Sequence, residues 1–124
     1  HIGLFCSTPM VALSRNVADK YAMEMLLTGD LTTAARAAEI GLINRAVATE
    51  TLRDATMLMA RKIASKSSMT LATGKGAYYA QREMELSDAY VYASGVMVEN
   101  MLASDAEEGI GAFIQKRAPK WQDM

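Results

Sequence analysis

The chain has 124 residues, of which 51% are hydrophobic and 22% charged, and a net charge of −1. Those proportions describe a folded globular chain, one domain or part of one, with no global reason to bind nucleic acid or an anionic membrane. Purely apolar runs are too short to span a bilayer, a lone Cys6 allows no internal disulfide, and no charged segment followed by an apolar run opens the chain as a signal peptide.

His1 rather than Met at the start points to a processed product or a fragment. In "STPMVALSRNV" the spacing predicts Thr8 as N-cap, Pro9 at the first helical position and a helix to about Val17. A second helix is expected over about Lys20 to Leu27, stopped at Gly29. "LTTAARAAEIGL" sets Thr33 as N-cap and Gly41 as C-terminal stop around an alanine-rich turn or two. "LINRAVA" (residues 42–48) is the one plausible strand, too short to make a sheet alone.

From Thr49 onward, Leu52, Ala55, Met59 and Ile63 recur at helical spacing and predict an amphipathic helix. Further helices are expected from about Met69 to Arg82 and from Ser87 to Leu102. The latter is apolar nearly all round, which requires burial on two sides and hence a neighbouring domain or subunit. Ser104 with Glu107 predicts a capping box opening a last helix to about Lys116, before Pro119. Ten methionines, including Met23, Met25, Met57, Met59, Met97 and Met101, are expected to fill core gaps and interfaces.

Candidate chemistry is sparse. The only histidine is His1, so nucleophile–base catalysis lacks a partner and no closed metal site can be assembled. Cys6 is expected to be a small packing residue. Gly74–Lys75–Gly76 lacks the full phosphate-loop pattern and a preceding strand, and its glycines are expected to allow close helix packing. Glu107 and Glu108 in a first helical turn offset the helix dipole. The ending "EGIGAFIQKRAPKW" (residues 108–121) supports two readings. In one, Lys116 and Arg117 are dipole partners and solubilising charges. In the other, Phe113 and Lys116, three apart on one helix face, receive an adenine and a phosphate. Stacking would then contribute roughly 1–3 kcal/mol and a charge-assisted hydrogen bond roughly 1.5–3 kcal/mol.

"IGLFCSTP", "AMEMLLTGDLTTAARAAEIGLINRAV" and "EGIGAFIQKRAPKW" together resemble the C-terminal part of the crotonase (enoyl-CoA hydratase/isomerase) superfamily, and within it the enoyl-CoA hydratase domain-containing proteins. The resemblance implies a chain that is mainly α: residues 1–48 close a core of repeated ββα turns, and residues 49–124 form a helical trimerisation region. It implies an enzyme, with hydration of 2-enoyl-CoA as the leading activity. Coenzyme A enters as part of the substrate, with no separate cofactor, and Phe113 and Lys116 reach its nucleotide, typically in a neighbouring subunit. Ile2 and Ser7 match positions near the acyl chain and the water site, although "FCSTPMVA" replaces the family's glycine-rich run there. The oxyanion donors and both glutamates of the hydratases fall before residue 1, so no catalytic residue is named.

The implied partners are an acyl-CoA thioester and a homotrimer or dimer of trimers, with no nucleic acid and no membrane. The implied compartment is the bacterial cytoplasm or the mitochondrial matrix. Alternatives are a non-catalytic helical oligomerisation module, or an isomerase, thioester hydrolase or decarboxylase of the same superfamily.

Overall fold

Helix stop signals dominate this sequence, and the computed structural model, which describes residues 3–122, is helical throughout with no strand among those residues. It divides into two units, His1–Ala55 and Thr56–Met124.

In the first unit, α1 (Ser7–Ser14) packs against α2 (Asp19–Thr28), and α3 (Ala34–Glu39) follows. The expected start of α1 is corrected by two residues. Cys6 is the N-cap, and its carbonyl accepts from the Met10 N–H at 3.0 Å, which puts Thr8 inside the helix. Pro9 is still within the first turn, where a missing N–H costs no helical bond. The helix also ends earlier than expected, and Val17 is buried beyond it. Gly29 ends α2 in the left-handed region (φ 66°), as its type predicts. The Thr33 hydroxyl accepts from the Arg36 N–H at 3.2 Å and caps α3 as expected.

Residues 42–48 do not form the expected strand. Gly41 turns left-handed at φ 81°, and the Leu42 and Ile43 N–H groups donate back to the Ala37 carbonyl at 2.9 and 3.2 Å. The donors a strand would offer to a neighbour are thus spent on closing α3.

The expected amphipathic helix is α4 (Leu52–Ala64), preceded by a 3-10 turn at Thr49–Thr51; the division between units falls within it. In the second unit, α5 (Ser68–Gln81) packs on α6 (Leu86–Met101), which meets α7 (Ser104–Ile114). Buried Ser67 caps α5 by accepting from the Thr70 N–H at 3.1 Å. A Cβ at Gly74 or Gly76 would meet no atom within 4 Å, so these glycines do not serve the close packing expected of them.

The capping box does not form. Ala103 takes the N-cap position in extended backbone, and Ser104 becomes the first helical residue without a capping bond. Among the described residues, the buried apolar ones are few and small: Val17, Ala22, Ala37, Ala89 and Ala112. The core half of the methionine expectation is corrected with them, since no described methionine is buried; Met97 and Met101 lie on exposed surface. Along α6, Leu86, Tyr90, Val91, Val98 and Leu102 are exposed as well, leaving an apolar surface with no partner among the described residues.

Candidate functional site

The strongest local constraints gather where α7 ends. The Lys116 N–H donates to the Phe113 carbonyl at 3.2 Å, and the Arg117 N–H donates to the Ala112 carbonyl at 3.0 Å. This paired closure needs a left-handed residue, a position glycine usually occupies. Here it is Lys116, at φ 54°, the only non-glycine residue with positive φ among those described. The helix therefore stops at Ile114 rather than continuing to Lys116. The expectation that Phe113 and Lys116 share one helix face is corrected: their backbones are bonded, but Lys116 has left the helical register.

Beyond Lys116 the chain folds back along α7 and is held at several points. The Arg117 guanidinium grips Glu108 through two parallel bonds, Nη1 to Oε1 at 2.6 Å and Nη2 to Oε2 at 2.8 Å. Glu108 Oε1 also accepts from the Lys120 N–H at 2.7 Å. These partners, the Arg117 fork first, hold the Glu108 carboxyl at about 2, well below its usual range. Asp105, buried in the first turn of α7, accepts from the Gln122 N–H at 2.7 Å. The Trp121 indole N–H donates to the Ser65 carbonyl at 2.8 Å. Its ring lies against Gly109, where an added Cβ would come within 3.4 Å of two ring carbons.

Glu108 is therefore a tail anchor, not only the helix-dipole acid expected from its position, and Arg117 is its partner rather than a free solubilising charge. No sequence rule for neighbouring helical pairs flags residues nine apart across a helix end.

This clasp engages the side chain of neither Phe113 nor Lys116. Phe113 is 84% exposed on α7. Lys116 is exposed, and its ammonium has no partner among the described residues. An exposed ring and an unpaired cation three residues apart have the composition needed to receive a flat base and a phosphate.

The other predicted contacts lie in the first unit. Ser7 is exposed at the start of α1, with its hydroxyl donating to the Phe5 carbonyl at 3.3 Å. Ile2 lies outside the described residues. Just before Ser7, Gly3–Cys6 and Met25–Gly29 line an open cleft of about 590 Å³, with Leu4, Phe5 and Leu27 among its apolar walls. Cys6 is exposed there, so it is not the packing residue expected. A smaller cleft of about 240 Å³ includes Tyr21 and Arg36, whose guanidinium lies 4.8 Å from the ring centre and pairs with Glu39 at 3.1 Å.

Comparison with known proteins agrees with this arrangement of helices. The sequence model of the family described as enoyl-CoA hydratase/isomerase matches residues 1–124. The mitochondrial enoyl-CoA hydratase domain-containing protein 3 of Rattus norvegicus is 49% identical over 121 residues, covering 98% of this chain and 40% of the relative. An enoyl-CoA hydratase of Mycobacterium smegmatis superposes with a TM-score of 0.93 at 47% identity, covering 97% of this chain and 47% of that one. Human enoyl coenzyme A hydratase domain-containing protein 3 superposes with a TM-score of 0.91, also at 47% identity, with coverages of 97% and 47%. The chain thus spans less than half the length of these relatives. With the match running over its whole length at such identity, the chain belongs to the enoyl-CoA hydratase/isomerase family, within the crotonase superfamily.

Proposed function

We propose that the full-length protein acts on acyl-CoA thioesters, with hydration of a 2-enoyl-CoA as its reaction, and that this chain supplies the nucleotide contacts and an oligomer interface. The observation that carries this reading is the exposed pair at the end of α7, Phe113 and the unpartnered Lys116. In the reaction, water adds across the double bond conjugated to the thioester, and negative charge develops on the thioester oxygen. No group of this chain is assigned to that step. Phe113 packs at the adenine and Lys116 contacts a phosphate, so their part is to hold the long end of the substrate. Ile2 and Ser7 belong beside the acyl group.

The exposed face of α6 is assigned to assembly as a trimer or a pair of trimers. The same face would suit a helical assembly module without catalysis, and turnover of a short 2-enoyl-CoA by the full-length protein separates the two readings. Of the two compartments expected from the sequence, the mitochondrial one has support in the rat relative's designation.

Calorimetric titration of the full-length protein tests the assignment. Lys116→Ala is expected to weaken acetyl-CoA binding by roughly 1.5–3 kcal/mol, the worth of one charge-assisted hydrogen bond. Phe113→Ala is expected to weaken acetyl-CoA more than S-acetyl-pantetheine, which carries the same acyl group without the nucleotide. Equal losses for both ligands would return this ending to ordinary helix-end chemistry.

A further inference from the structure

Lys116 stands in a conformation its side chain disfavours, and local helix closure is only part of what keeps it there. A left-handed non-glycine residue costs about 1 kcal/mol or more, so the surrounding bonds must hold it in place. Immediately after Lys116 the chain is tied to α7 by one carboxylate. Glu108 holds the Arg117 side chain and the Lys120 N–H at once, at 2.6–2.8 Å. This pins the residues on the C-terminal side of Lys116, while the Phe113 carbonyl pins its own N–H.

The carboxylate has a second effect. Of the cations at positions 116, 117 and 120, it neutralises Arg117 through a two-pronged bond and engages neither lysine ammonium. The chain reversal after Lys116 and the masking of the arginine next to it thus depend on one carboxylate.

We propose that Glu108 is a positioning residue: by holding Arg117 and the Lys120 N–H together, it fixes the reversal that presents the Lys116 ammonium, and so sets affinity for the nucleotide end of a coenzyme A thioester without touching it. This rests on the reading of Lys116 as a phosphate partner.

The test is calorimetric titration of the full-length protein with acetyl-CoA and with S-acetyl-pantetheine. The variants are Glu108→Gln, Lys116→Ala and the double substitution. Glu108→Gln is expected to weaken acetyl-CoA roughly five- to ten-fold, part of the effect of losing a charged hydrogen bond, and to leave S-acetyl-pantetheine unchanged. In the Lys116→Ala background it is expected to add nothing, because the group it positions is gone. A merely structural role would weaken both ligands alike and would persist in that background. Either result, or unchanged acetyl-CoA affinity in Glu108→Gln, overturns the inference. Arg117→Lys supplies a second route if Glu108→Gln does not fold. It keeps the charge but loses the fork, and the same ligand difference is expected, with its absence equally decisive. If Lys116→Ala itself leaves acetyl-CoA affinity unchanged, the reading of Lys116 fails and this inference falls with it. If Lys116→Ala weakens acetyl-CoA while Glu108→Gln does not, only the positioning role is lost.

Discussion

Lys116 shows how a single backbone angle separates stability from binding. At φ 54° its Cβ crowds the following carbonyl, and glycine would relieve that contact. Lys116→Gly in the full-length protein is therefore expected to gain about 1 kcal/mol of stability in chemical denaturation, while losing acetyl-CoA affinity as Lys116→Ala does. Unchanged or lower stability would show that the lysine is not strained. Its neighbour Glu108 carries a pH signature. Its carboxyl titrates at about 2 in the folded chain against a usual 4.5. A depressed folded value means that its stabilising effect is complete above about pH 4.5 and fades as pH falls towards 2. The stability difference between the parent and Glu108→Gln is expected to be constant above pH 4.5 and to shrink below it. Denaturation midpoints measured across that range check this, and a difference that persists at pH 2 would contradict it.

Among the elements, α6 departs furthest from the behaviour of a surface helix. Ala89 is its only buried residue, while Val91 is 75% exposed and Leu86 and Tyr90 nearly as much. On a solvated helix face, Val91→Asp would change stability by only about 0.5 kcal/mol. If the full-length protein buries that face, an unpaired carboxylate there costs about 3 kcal/mol or more. We expect full-length Val91→Asp to sediment as a smaller species than the parent and to melt at a lower temperature. Unchanged mass and melting would show that α6 faces water in the assembled protein.

At the scale of the whole molecule, what the sequence made legible is what local chemistry controls. Gly29 and Gly41 marked helix ends because only glycine turns left-handed without cost, and Thr33 marked a start because its hydroxyl satisfies an orphan N–H. The periodic apolar residues of α4 placed that helix within a few residues of its observed start. Misreadings arose where two local preferences competed. Leu42 and Ile43 suit a strand, but their N–H groups closed α3 instead. Ser104 suits an N-cap, but Ala103 supplied the extended residue and the helix began one position later. The methionines follow a different logic, because spacing reveals which face is apolar and not what covers it. At the candidate site, the sequence flagged Phe113 and Lys116 by residue type but not the left-handed backbone of the lysine, since residue type alone would place glycine there. The clasp also lay beyond local rules, because the bonds from Glu108 to Arg117 and from Asp105 to Gln122 join residues far apart in sequence.

The folded-back ending also bears on how such a protein is degraded. Lys116, Arg117 and Lys120 are all exposed and all of the type after which trypsin-like proteases cut. A protease must draw several residues into an extended line, and this segment is left-handed at Lys116 and tied down at Arg117, Lys120, Trp121 and Gln122. Cleavage therefore waits for the segment to open, and its rate reports how often that happens. The most basic stretch of the chain, an inviting target by composition, is thus guarded by the same bonds that hold its backbone folded back on α7.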